Sequence, residues 1–256
     1  MATDNQPHCA QPHCAVVTGA AAGFGAIVAR TLHAAGHRVV ITDVDGAAAQ
    51  ALAKEIDPAG TRVRAEALDI RRPEDYERVC EAAVRAWGSV EILVNNAAVT
   101  FARPVLDIDI AEFNAVLSTN AGGLFAGCQV FGRYFKGRGY GRIVNLASLA
   151  GQNGGTATGA HYAASKGAII TLTKVFARDL APFGITVNAV APGPMDTPLV
   201  HALVPAEKMP GLLGNIPVGQ LIDPHFVAST IALLASPSAA TVTGACWDIN
   251  GGLFMR

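Results

Sequence analysis

Short apolar runs rich in β-branched residues alternate along the chain with longer segments whose apolar residues recur at helical spacing. The strand-like runs are HCAVVT, HRVVIT, TRVRAEAL, EILVNN, RIVNLAS and ITVNAVAPG. Helical segments such as FGAIVARTLHAAG and PEDYERVCEAAVRAWG separate them,. Strands joined by helices of this length pair in parallel, with helices on both faces of the sheet. The pattern therefore predicts one α/β domain over residues 13–256, preceded by a flexible tail over residues 1–12.

Glycines mark the ends of predicted helices, and one long stretch lacks a clear element. Gly36, Gly88 and Gly184 each follow a helical segment, at positions where a left-handed residue ends a helix,. The stretch from Pro192 to Pro224 is too long for an ordinary connection,. Because long loops that connect rigid elements often cover binding sites, residues 193–222 are predicted to form a lid.

Composition narrows the range of partners and compartments. Of 256 residues, 51% are hydrophobic and 15% are charged, with 19 basic and 20 acidic side chains. Such a balance creates no overall field for nucleic acid or an anionic membrane. No signal peptide or run of 18 apolar residues is found, so we expect a cytoplasmic protein whose partners are small molecules or its own copies. The five cysteines are scattered and odd in number, which favours reduced thiols,.

A glycine-rich loop follows the first predicted strand and leads straight into a helix. The loop reads TGAAAGFG from Thr18 to Gly25, which gives the spacing G-x-x-x-G-x-G. Glycines here permit a tight turn and let the backbone approach a pyrophosphate, whose charge the helix N-terminus stabilises. Since an isolated loop of this kind is equally compatible with a simple turn, its interpretation depends on the residues at the end of the second strand.

An acidic residue lies where the adenosine ribose of a dinucleotide is usually bound. Asp43 ends the second predicted strand, 24 residues after Gly19, close to the roughly 20-residue offset of such acids. A carboxylate there accepts hydrogen bonds from the ribose hydroxyls and repels a 2′-phosphate. No Lys or Arg lies in the loop or directly after Asp43, so the sequence predicts NAD rather than NADP. The alternative for Asp43 is a solvated acid in a turn.

Tyr162 and Lys166 lie four residues apart in a predicted helix, within the run YAASK. Residues at this spacing share one face of a helix. A nearby ammonium group stabilises a phenolate, so we expect Lys166 to lower the pKa of Tyr162 and to suit the phenol for proton exchange with an alcohol. Such pairs are also common on exposed helix surfaces, but the small residues around Tyr162 and Lys166 leave room for a cofactor or a partner helix.

Six motifs in order make the chain resemble the short-chain dehydrogenases and reductases over nearly its whole length. They are TGAAAGFG, NNAA at 95–98, IVNLAS ending at Ser148, YAASK, PGPMDT at 192–197 and DINGG. The resemblance extends to the NAD-dependent members and to the subgroup similar to 3-oxoacyl-carrier-protein reductases. It implies a single-domain, doubly wound Rossmann fold with a seven-stranded parallel sheet. It also implies a homotetramer in which the long helices around Asn120 and Tyr162 pack against their symmetry mates.

The resemblance further implies a catalytic group of Asn120, Ser148, Tyr162 and Lys166. Tyr162 is expected to act as general acid or base, and Ser148 to hold the substrate oxygen by a hydrogen bond. Lys166 is expected to bind the nicotinamide ribose and to lower the pKa of Tyr162. Asn120 is expected to anchor a water through which the proton reaches solvent. Ser148 capping a strand end and Asn120 satisfying buried backbone are the structural alternatives.

Cofactor contacts are predicted from the loop, the acid and the resemblance together. Asp69 and Ile70 are expected beside the adenine, residues 96–98 beside its ribose, and the segment 192–197 around the nicotinamide and pyrophosphate. Ala98 departs from the family's usual NNAG, and its methyl group takes up space at the adenosine end. The full predicted set is Gly19, Ala22, Gly23, Phe24, Gly25, Asp43, Val44, Asp69, Ile70, Asn96, Ala97, Ala98, Tyr162, Lys166, Pro192, Gly193, Met195 and Thr197.

The predicted substrate is a neutral secondary alcohol or ketone. The segment after Thr197 is largely apolar, with only Glu207 and Lys208 charged, so as a lid it would close an apolar surface over the site. The alternative is a subunit contact. A sugar or polyol remains an alternative substrate, because the polar residues Gln152, Asn153 and His161 lie near the catalytic segments. Rival functions are a non-enzymatic NAD-binding sensor, which need not keep the complete catalytic group, and a nucleotide-sugar epimerase, which normally needs a larger C-terminal region.

The repeat QPHCAQPHCA at residues 6–15 contains two His-Cys pairs, which are the kinds of ligand that zinc and copper prefer,. Its second copy runs without a break into the first strand, so Cys14 is predicted to be a small buried side chain. The first copy, with His8 and Cys9, falls in the predicted tail and has no companion ligands. We therefore predict no metal site.

Overall fold

The computed structural model describes residues 12–155 and 158–255 of the chain. Seven strands form one sheet: β1 (Cys14–Thr18), β2 (Arg38–Asp43), β3 (Val63–Ala67), β4 (Ile92–Asn95), β5 (Gly141–Leu146), β6 (Ile185–Pro192) and β7 (Cys246–Ile249). The strands pair in the order β3-β2-β1-β4-β5-β6-β7, and every pairing is parallel. The predicted fold, a single α/β domain with a seven-stranded parallel sheet, is confirmed.

Ten helices connect the strands of the described chain. They are α1 (Gly23–Ala34), α2 (Gly46–Ile56), α3 (Pro73–Trp87), α4 (Ile110–Leu117), α5 (Gly123–Arg138), α6 (Ala150–Asn153), α7 (Ala160–Leu180), α8 (Pro198–Leu203), α9 (Met209–Asn215) and α10 (Pro224–Ala235). A π-helical turn, Ser118–Gly122, joins α4 to α5. Gly36, Gly88 and Gly184 have positive φ angles of 93°, 85° and 73°, so the predicted helix-ending glycines are confirmed.

The alternation of side chains in β1 explains the two-layered core. Cys14 and Val16 contact the layer that contains Tyr76 of α3, Phe131 of α5 and Ile169 of α7. Ala15 and Val17 face the opposite layer, built from α1, α2 and α10. All five residues of β1 are buried. A central strand covered on both faces reads as a continuous apolar run, which is the pattern that β1 shows in the sequence.

The strand order places a crevice between β1 and β4. From β1 the chain adds β2 and β3 on one side, and then returns to place β4 on the other side. Connections from the two strands therefore leave in opposite directions at their carboxyl ends. In doubly wound folds this switch point is where ligands bind, and the glycine loop after β1 lies there.

The predicted lid, residues 193–222, contains more regular structure than its sequence suggests. It includes α8, α9 and a short 3₁₀ turn, Ala206–Lys208. Its two ends are joined, because Asp196 N–H donates to Ile222 O (2.9 Å) and Ile222 N–H donates to Pro194 O (2.9 Å). The segment is thus a closed, partly helical loop anchored beside the end of β6.

Only residues 12–15 of the QPHCAQPHCA repeat lie within the described part of the chain. Strand β1 begins at Cys14, one residue later than predicted, and Cys14 is 1% exposed. Burial raises the pKa of its thiol, which confirms the prediction of a buried side chain. The first copy, with His8 and Cys9, lies outside the described residues, as does all but the last residue of the predicted tail.

The described residues contain neither a metal-binding cluster nor a membrane-spanning helix. Between residues 12 and 155 and between 158 and 255, no cluster of three or more His, Cys, Asp and Glu side chains has metal-binding geometry. Within these ranges, no helix combines the length and the apolar character that crossing a membrane requires.

Candidate active site

The glycine loop after β1 is held in place by the chain segment just past β4. The Thr18 hydroxyl accepts hydrogen bonds from the Asn96 and Ala97 N–H groups, at 3.0 and 3.1 Å. The Asn96 side-chain amide donates in return to Thr18 O and Gly19 O, both at 2.9 Å. Gly19 has φ 61°, and a Cβ built on it would lie 2.7 Å from Ala97 Cα. This junction therefore requires glycine both for its backbone conformation and for space.

The loop presents the start of α1 to the crevice. Ala22, the residue before α1, is extended, and no side chain caps the helix. Backbone N–H groups in an uncapped first turn carry the partial positive charge of the helix dipole. They form the kind of site that binds phosphate.

The Asp43 carboxylate is hydrogen-bonded to the glycine loop, so it is not simply a solvated acid in a turn. Its Oδ2 accepts from Ala21 N–H (3.1 Å), and its Oδ1 accepts from Asp45 N–H (3.2 Å). Its neighbour Val44 is 75% exposed, and both residues line the cleft that begins at the loop. The carboxylate is thus oriented at the far end of this cleft.

A cleft of about 700 Å³ runs from β2 across the switch point to α7. Most of the predicted cofactor contacts line it, namely Gly19, Ala22, Gly23, Phe24, Gly25, Asp43, Val44, Asp69, Ile70, Asn96, Ala97, Ala98, Tyr162, Lys166 and Met195. The structure brings these residues together although they come from six separate parts of the chain.

Three predicted cofactor residues do not line this cleft. Pro192 ends β6 and its carbonyl accepts from Leu149 N–H (3.0 Å), while Gly193 N–H donates to Ile249 O (2.9 Å). Thr197 is 9% exposed and precedes α8. These contacts fix the loop that carries Met195 at the rim of the cleft.

Sequence reasoning missed six residues of the cleft wall. They are Leu68, Arg71, Val99, Thr100, Thr119 and Leu146. Each lies within two residues of a predicted contact or catalytic residue, at the carboxyl edge of the sheet or in the π-helical turn. Their closeness in sequence to the predicted residues is the signal that could have identified them. The Arg71 guanidinium forms an ion pair with the Asp69 carboxylate (2.5 Å), and this contact lowers the pKa of the Asp69 carboxyl.

Tyr162 and Lys166 line the other end of the cleft, and Ser148 lies beside Tyr162. Ser148 follows β5, and its hydroxyl lies close enough to the Tyr162 phenol to lower the pKa of that phenol. It also accepts from Ala150 N–H (3.1 Å), so it caps the following turn as well. Lys166 Nζ lies 5.5 Å from the centre of the Tyr162 ring and donates to Leu146 O (2.6 Å). The helical spacing therefore brings the phenol and the amine together as predicted.

The electrostatics of this pair differ from the expectation. Burial raises the pKa of Tyr162, and the hydrogen bond with Ser148 opposes that shift only in part. Burial also lowers the pKa of Lys166 to about 7, since the amine is 2% exposed. The lowered pKa predicted for Tyr162 is not found, because desolvation of the phenol outweighs the influence of an amine that is itself poorly solvated.

Asn120 is buried in the π-helical turn and bonds to backbone and to α7. Its Oδ1 accepts from Val99 N–H (2.8 Å), and its Nδ2 donates to Val99 O (2.9 Å) and to Ser165 Oγ (3.0 Å). Ser165 Oγ donates in turn to Tyr162 O (2.7 Å). Both amide hydrogens are thus used to hold the segment after β4 against the helix that carries Tyr162.

The polar residues expected near the substrate are engaged within the protein to different extents. Asn153 Oδ1 accepts from Gly155 N–H (2.9 Å), whereas Gln152 Oε1 has no hydrogen-bond partner among the described residues. The Gln152 amide nitrogen donates to Asp248 on β7. His161 is fully buried and bonds to Glu112 (2.9 Å). His161 is therefore not available to a sugar or polyol substrate, contrary to the possibility left open by the sequence.

The described residues fit a nicotinamide dinucleotide. The cradle at Gly19 has no room for a side chain, the first turn of α1 is uncapped, and Asp43 lies at the adenosine end. The buried Thr100 hydroxyl in the cleft wall has no hydrogen-bond partner among the described residues. Burying a hydroxyl without a partner is unfavourable, so this group is suited to a polar ligand.

Comparison with known proteins gives matches along nearly the whole chain. A family model described as Enoyl-(Acyl carrier protein) reductase matches residues 19–254. The 3-oxoacyl-acyl-carrier-protein reductase FabG of Vibrio cholerae is 37% identical over 241 residues, covering 94% of this chain and 97% of that protein. The enzyme of the same name from Escherichia coli K12 is 36% identical over 243 residues, with coverage of 94% and 97%.

A third relative carries a different name at the same level of identity. The 4-formylbenzenesulfonate dehydrogenase of Comamonas testosteroni is 37% identical over 243 residues, covering 93% of this chain and 96% of that protein. The three relatives thus align with this chain over nearly their whole length but differ in the substrates that they are named for. With the parallel sheet, the glycine cradle and the Ser148, Tyr162 and Lys166 group, these matches show that the chain belongs to the short-chain dehydrogenase/reductase family of oxidoreductases.

Proposed function

We propose that the protein transfers a hydride between NAD(H) and a neutral secondary alcohol or ketone. The observation that carries this proposal is a single cleft, lined at one end by Tyr162 and Lys166 and at the other by the glycine loop and Asp43. Ser148 lies beside the Tyr162 phenol. A bound nicotinamide supplies the hydride acceptor or donor. The protein has to position the two reactants and manage one proton.

Tyr162 is the proposed general acid and base. Since burial raises the pKa of its phenol, the group is protonated at neutral pH and ready to donate to the oxygen of a ketone. In the oxidative direction the phenol must first lose its proton, which the positive charge of a bound oxidised nicotinamide would favour. The phenolate would then accept the hydroxyl proton of the alcohol while the carbinol carbon loses a hydride to the nicotinamide. Ser148 is placed to donate to the same oxygen and to stabilise its alkoxide-like charge in the transition state.

Lys166 and Asn120 support this exchange. Lys166 is proposed to hold the nicotinamide ribose through its buried amine. Asn120 uses both amide hydrogens within the protein, so it can anchor a water only through an oxygen, either its own Oδ1 or its main-chain carbonyl. Together they are proposed to connect Tyr162 to solvent for proton release.

Asp43 supports the choice of NAD over NADP. Its carboxylate is oriented by Ala21 N–H at the adenosine end of the cleft, where it would accept from the ribose hydroxyls and repel a 2′-phosphate. Because cellular NAD is mostly oxidised, we propose alcohol oxidation as the working direction.

The test is steady-state turnover of a panel of secondary alcohols and ketones, compared between the wild type and Tyr162→Phe. We expect the variant to lose at least 100-fold in kcat, since proton transfer by a positioned side chain contributes about 10²–10⁴-fold. Its affinity for NADH, followed by fluorescence titration, should stay within about threefold. Unchanged turnover in Tyr162→Phe would overturn the assignment, and NADH binding without turnover of any substrate would favour a sensor.

A second candidate is reduction of a 3-oxoacyl thioester. It is favoured by the names of two relatives that are 36–37% identical over nearly the whole chain. Acetoacetyl-coenzyme A belongs in the same panel for this reason. A kcat/KM for this thioester more than tenfold above that of every simple ketone would select the second candidate, and the reverse ratio would select the first.

A further inference from the structure

His161 is a buried ionisable residue that the proposed chemistry does not use. It directly precedes Tyr162 in the first turn of α7 and is 0% exposed. Its Nδ1 accepts from Tyr162 N–H at 2.8 Å, an N–H that also donates to Gly159 O at 3.0 Å. An imidazole nitrogen that accepts carries no hydrogen, so the proton of the neutral ring lies on Nε2. Nε2 is 2.9 Å from Glu112 Oε1 and donates to it.

Glu112 connects His161 to the loop after β4. Its Oε1 also accepts from Arg103 Nε at 2.9 Å. The hydrogen bonds from Arg103 and His161 lower the pKa of the Glu112 carboxyl, so it is ionised at neutral pH. The three side chains form a continuous chain of polar contacts from the turn that carries Tyr162, through α4, to the loop.

The segment 99–103, which we call the strap, is held at two further points. Asn120 bonds to both the N–H and the C=O of Val99. Gly159 N–H donates to Phe101 O at 3.0 Å. A Cβ on Gly159 would lie 2.7 Å from His161 Nδ1 and 2.9 Å from Phe101 O. The start, the middle and the end of the strap are therefore each tied, directly or through a side chain, to α7 or its flanking turn.

The strap forms part of the cleft wall beside the catalytic group. Val99 and Thr100 line the same cleft as Tyr162 and Lys166. A displacement of the strap would change the shape of the site, and a displacement of the first turn of α7 would move the phenol. Since the polar contacts of His161 lead to both, these two displacements are mechanically linked.

We propose that His161 is a positioning residue. Its Nδ1 sets the first turn of α7 and thereby the Tyr162 phenol, while its Nε2 holds the strap through Glu112 and Arg103. This inference rests on the proposed function and deepens it, because it assigns the two ring nitrogens to two different kinetic properties. The Nδ1 contact supports kcat through Tyr162, and the Nε2 contact supports KM through the shape of the cleft wall.

Two substitutions separate the contacts. In His161→Asn, the short side chain keeps an acceptor near Nδ1 but cannot reach Glu112. In His161→Gln, the longer amide reaches Glu112 but no longer accepts from Tyr162 N–H, which keeps only its longer contact to Gly159 O (3.0 Å). A matched control is His37→Asn, since His37 is also buried (7% exposed) but precedes β2, at the amino end of that strand, whereas the cleft lies at the carboxyl ends of the strands.

We expect His161→Asn to raise KM about tenfold with kcat within about threefold of the wild type. We expect His161→Gln to lower kcat about 10- to 100-fold with a smaller change in KM, because small misplacements of reacting groups cost up to about 10²-fold. His37→Asn should change neither constant beyond about twofold. Equal losses in kcat and KM for both His161 variants, in proportion to their Tm, would overturn the proposal and leave a purely structural histidine.

Hydrogen exchange measured by mass spectrometry tests the same contacts without turnover. In His161→Asn, amides of residues 99–105 should exchange at least tenfold faster than in the wild type and in His37→Asn. In His161→Gln, the acceleration should instead lie in residues 160–164. Absence of turnover in the wild type together with these exchange patterns would reject the proposed function and keep the link between strap and helix. Unchanged exchange at both segments would reject the link itself.

Discussion

Lys166 is an ionisable residue of the candidate site whose pKa is strongly changed by burial. Burial lowers the pKa of its amine to about 7, whereas the amine in an unfolded chain keeps a value near ~10.4. Between these pH values the unfolded state binds more protons than the folded state. The contribution of Lys166 to the free energy of unfolding therefore increases as pH rises above 7, by at most about 1.4 kcal/mol per pH unit.

Replacing Lys166 by Met removes this gain. In urea unfolding at about pH 7.0 to 8.5, we expect the stability of Lys166→Met relative to the wild type to fall as pH rises, with a relative slope near ~1 kcal/mol per pH unit. Lys174→Met is the control, because Lys174 is an exposed lysine on the same helix. Parallel stability curves for the wild type and Lys166→Met would show that the amine is not shifted.

Asp43 allows a second test at the scale of one side chain. Asp43→Asn keeps an acceptor for Ala21 N–H but removes the charge that would repel a 2′-phosphate. We expect the ratio of kcat/KM for NAD to that for NADP to fall at least tenfold. Asp45→Asn removes the same charge two residues away, and Asn still serves as the cap of α2,. An equal change in both variants would point to the general charge of the region instead.

Local sequence motifs place most of the predicted contact residues in one cleft of the structure. The glycine loop, Asp43 and the YAASK run each place their chemistry within a few residues of a strand or helix end, so most predicted contacts line one cleft. The pKa values and the burial of ionisable side chains were harder to predict from the sequence. The raised pKa of Tyr162 and the burial of His161 depend on packing from distant segments, which no short spacing records.

At the scale of elements, the glycine loop illustrates how a turn and its neighbour constrain each other. Gly19 and Gly60 both have positive φ angles, of 61° and 64°. A Cβ on Gly60 would meet nothing within 4 Å, whereas a Cβ on Gly19 would meet the Ala97 backbone. The two glycines therefore share the conformational requirement but not the steric one.

Substituting each glycine by Ala separates the two requirements. Gly60→Ala should lower the free energy of unfolding by about 1–2 kcal/mol, the penalty for a left-handed L-residue, and leave NADH affinity unchanged. Gly19→Ala should cost more and weaken NADH binding at least tenfold, because the loop must move away from the segment after β4. Urea unfolding and fluorescence titration measure the two effects. Equal stability losses with unchanged binding would contradict the steric argument.

Two short helices inside the predicted lid were not predicted from the sequence. Helices α8 and α9 lie in the segment that the sequence left irregular, and each has proline in its first turn. Proline is usually taken as a helix breaker, yet it fits the first turn because the N–H that it lacks has no helical partner there. The π-helical turn at Asn120 likewise has no local sequence signal, and it depends on the fit of α4 and α5 to α7.

At the scale of the whole molecule, strand pairing could be predicted only in part. Alternating strands and helices require parallel pairing and right-handed connections, but they do not decide on which side of β1 the fourth strand lies. That order came from the resemblance, and the structure confirms the sheet. The continuous apolar sequence of β1 did predict that this strand is buried on both faces. Cys14, Ala15, Val16 and Val17 are all 0–1% exposed.

The predicted homotetramer depends on surfaces that one chain leaves exposed. Phe125 on α5 is 41% exposed and Val175 on α7 is 38% exposed. Phe125 also lies 5.5 Å from Phe176, measured between ring centres, so the two long helices share an apolar outer face. Exposed apolar clusters of this kind favour association with a second copy.

Phe125→Glu should break this contact between copies while leaving the fold intact. A charge in the centre of an apolar interface is costly to desolvate, so we expect the mass in analytical ultracentrifugation to fall from four chains to two. Gln50→Glu adds the same charge at an exposed position on α2 and should keep the mass of the wild type. Because the apolar face belongs to the helices that carry Asn120 and Tyr162, we also expect kcat to fall in Phe125→Glu but not in Gln50→Glu. A wild type that sediments as a single chain would refute the predicted assembly, and an unchanged mass in Phe125→Glu would place the interface elsewhere.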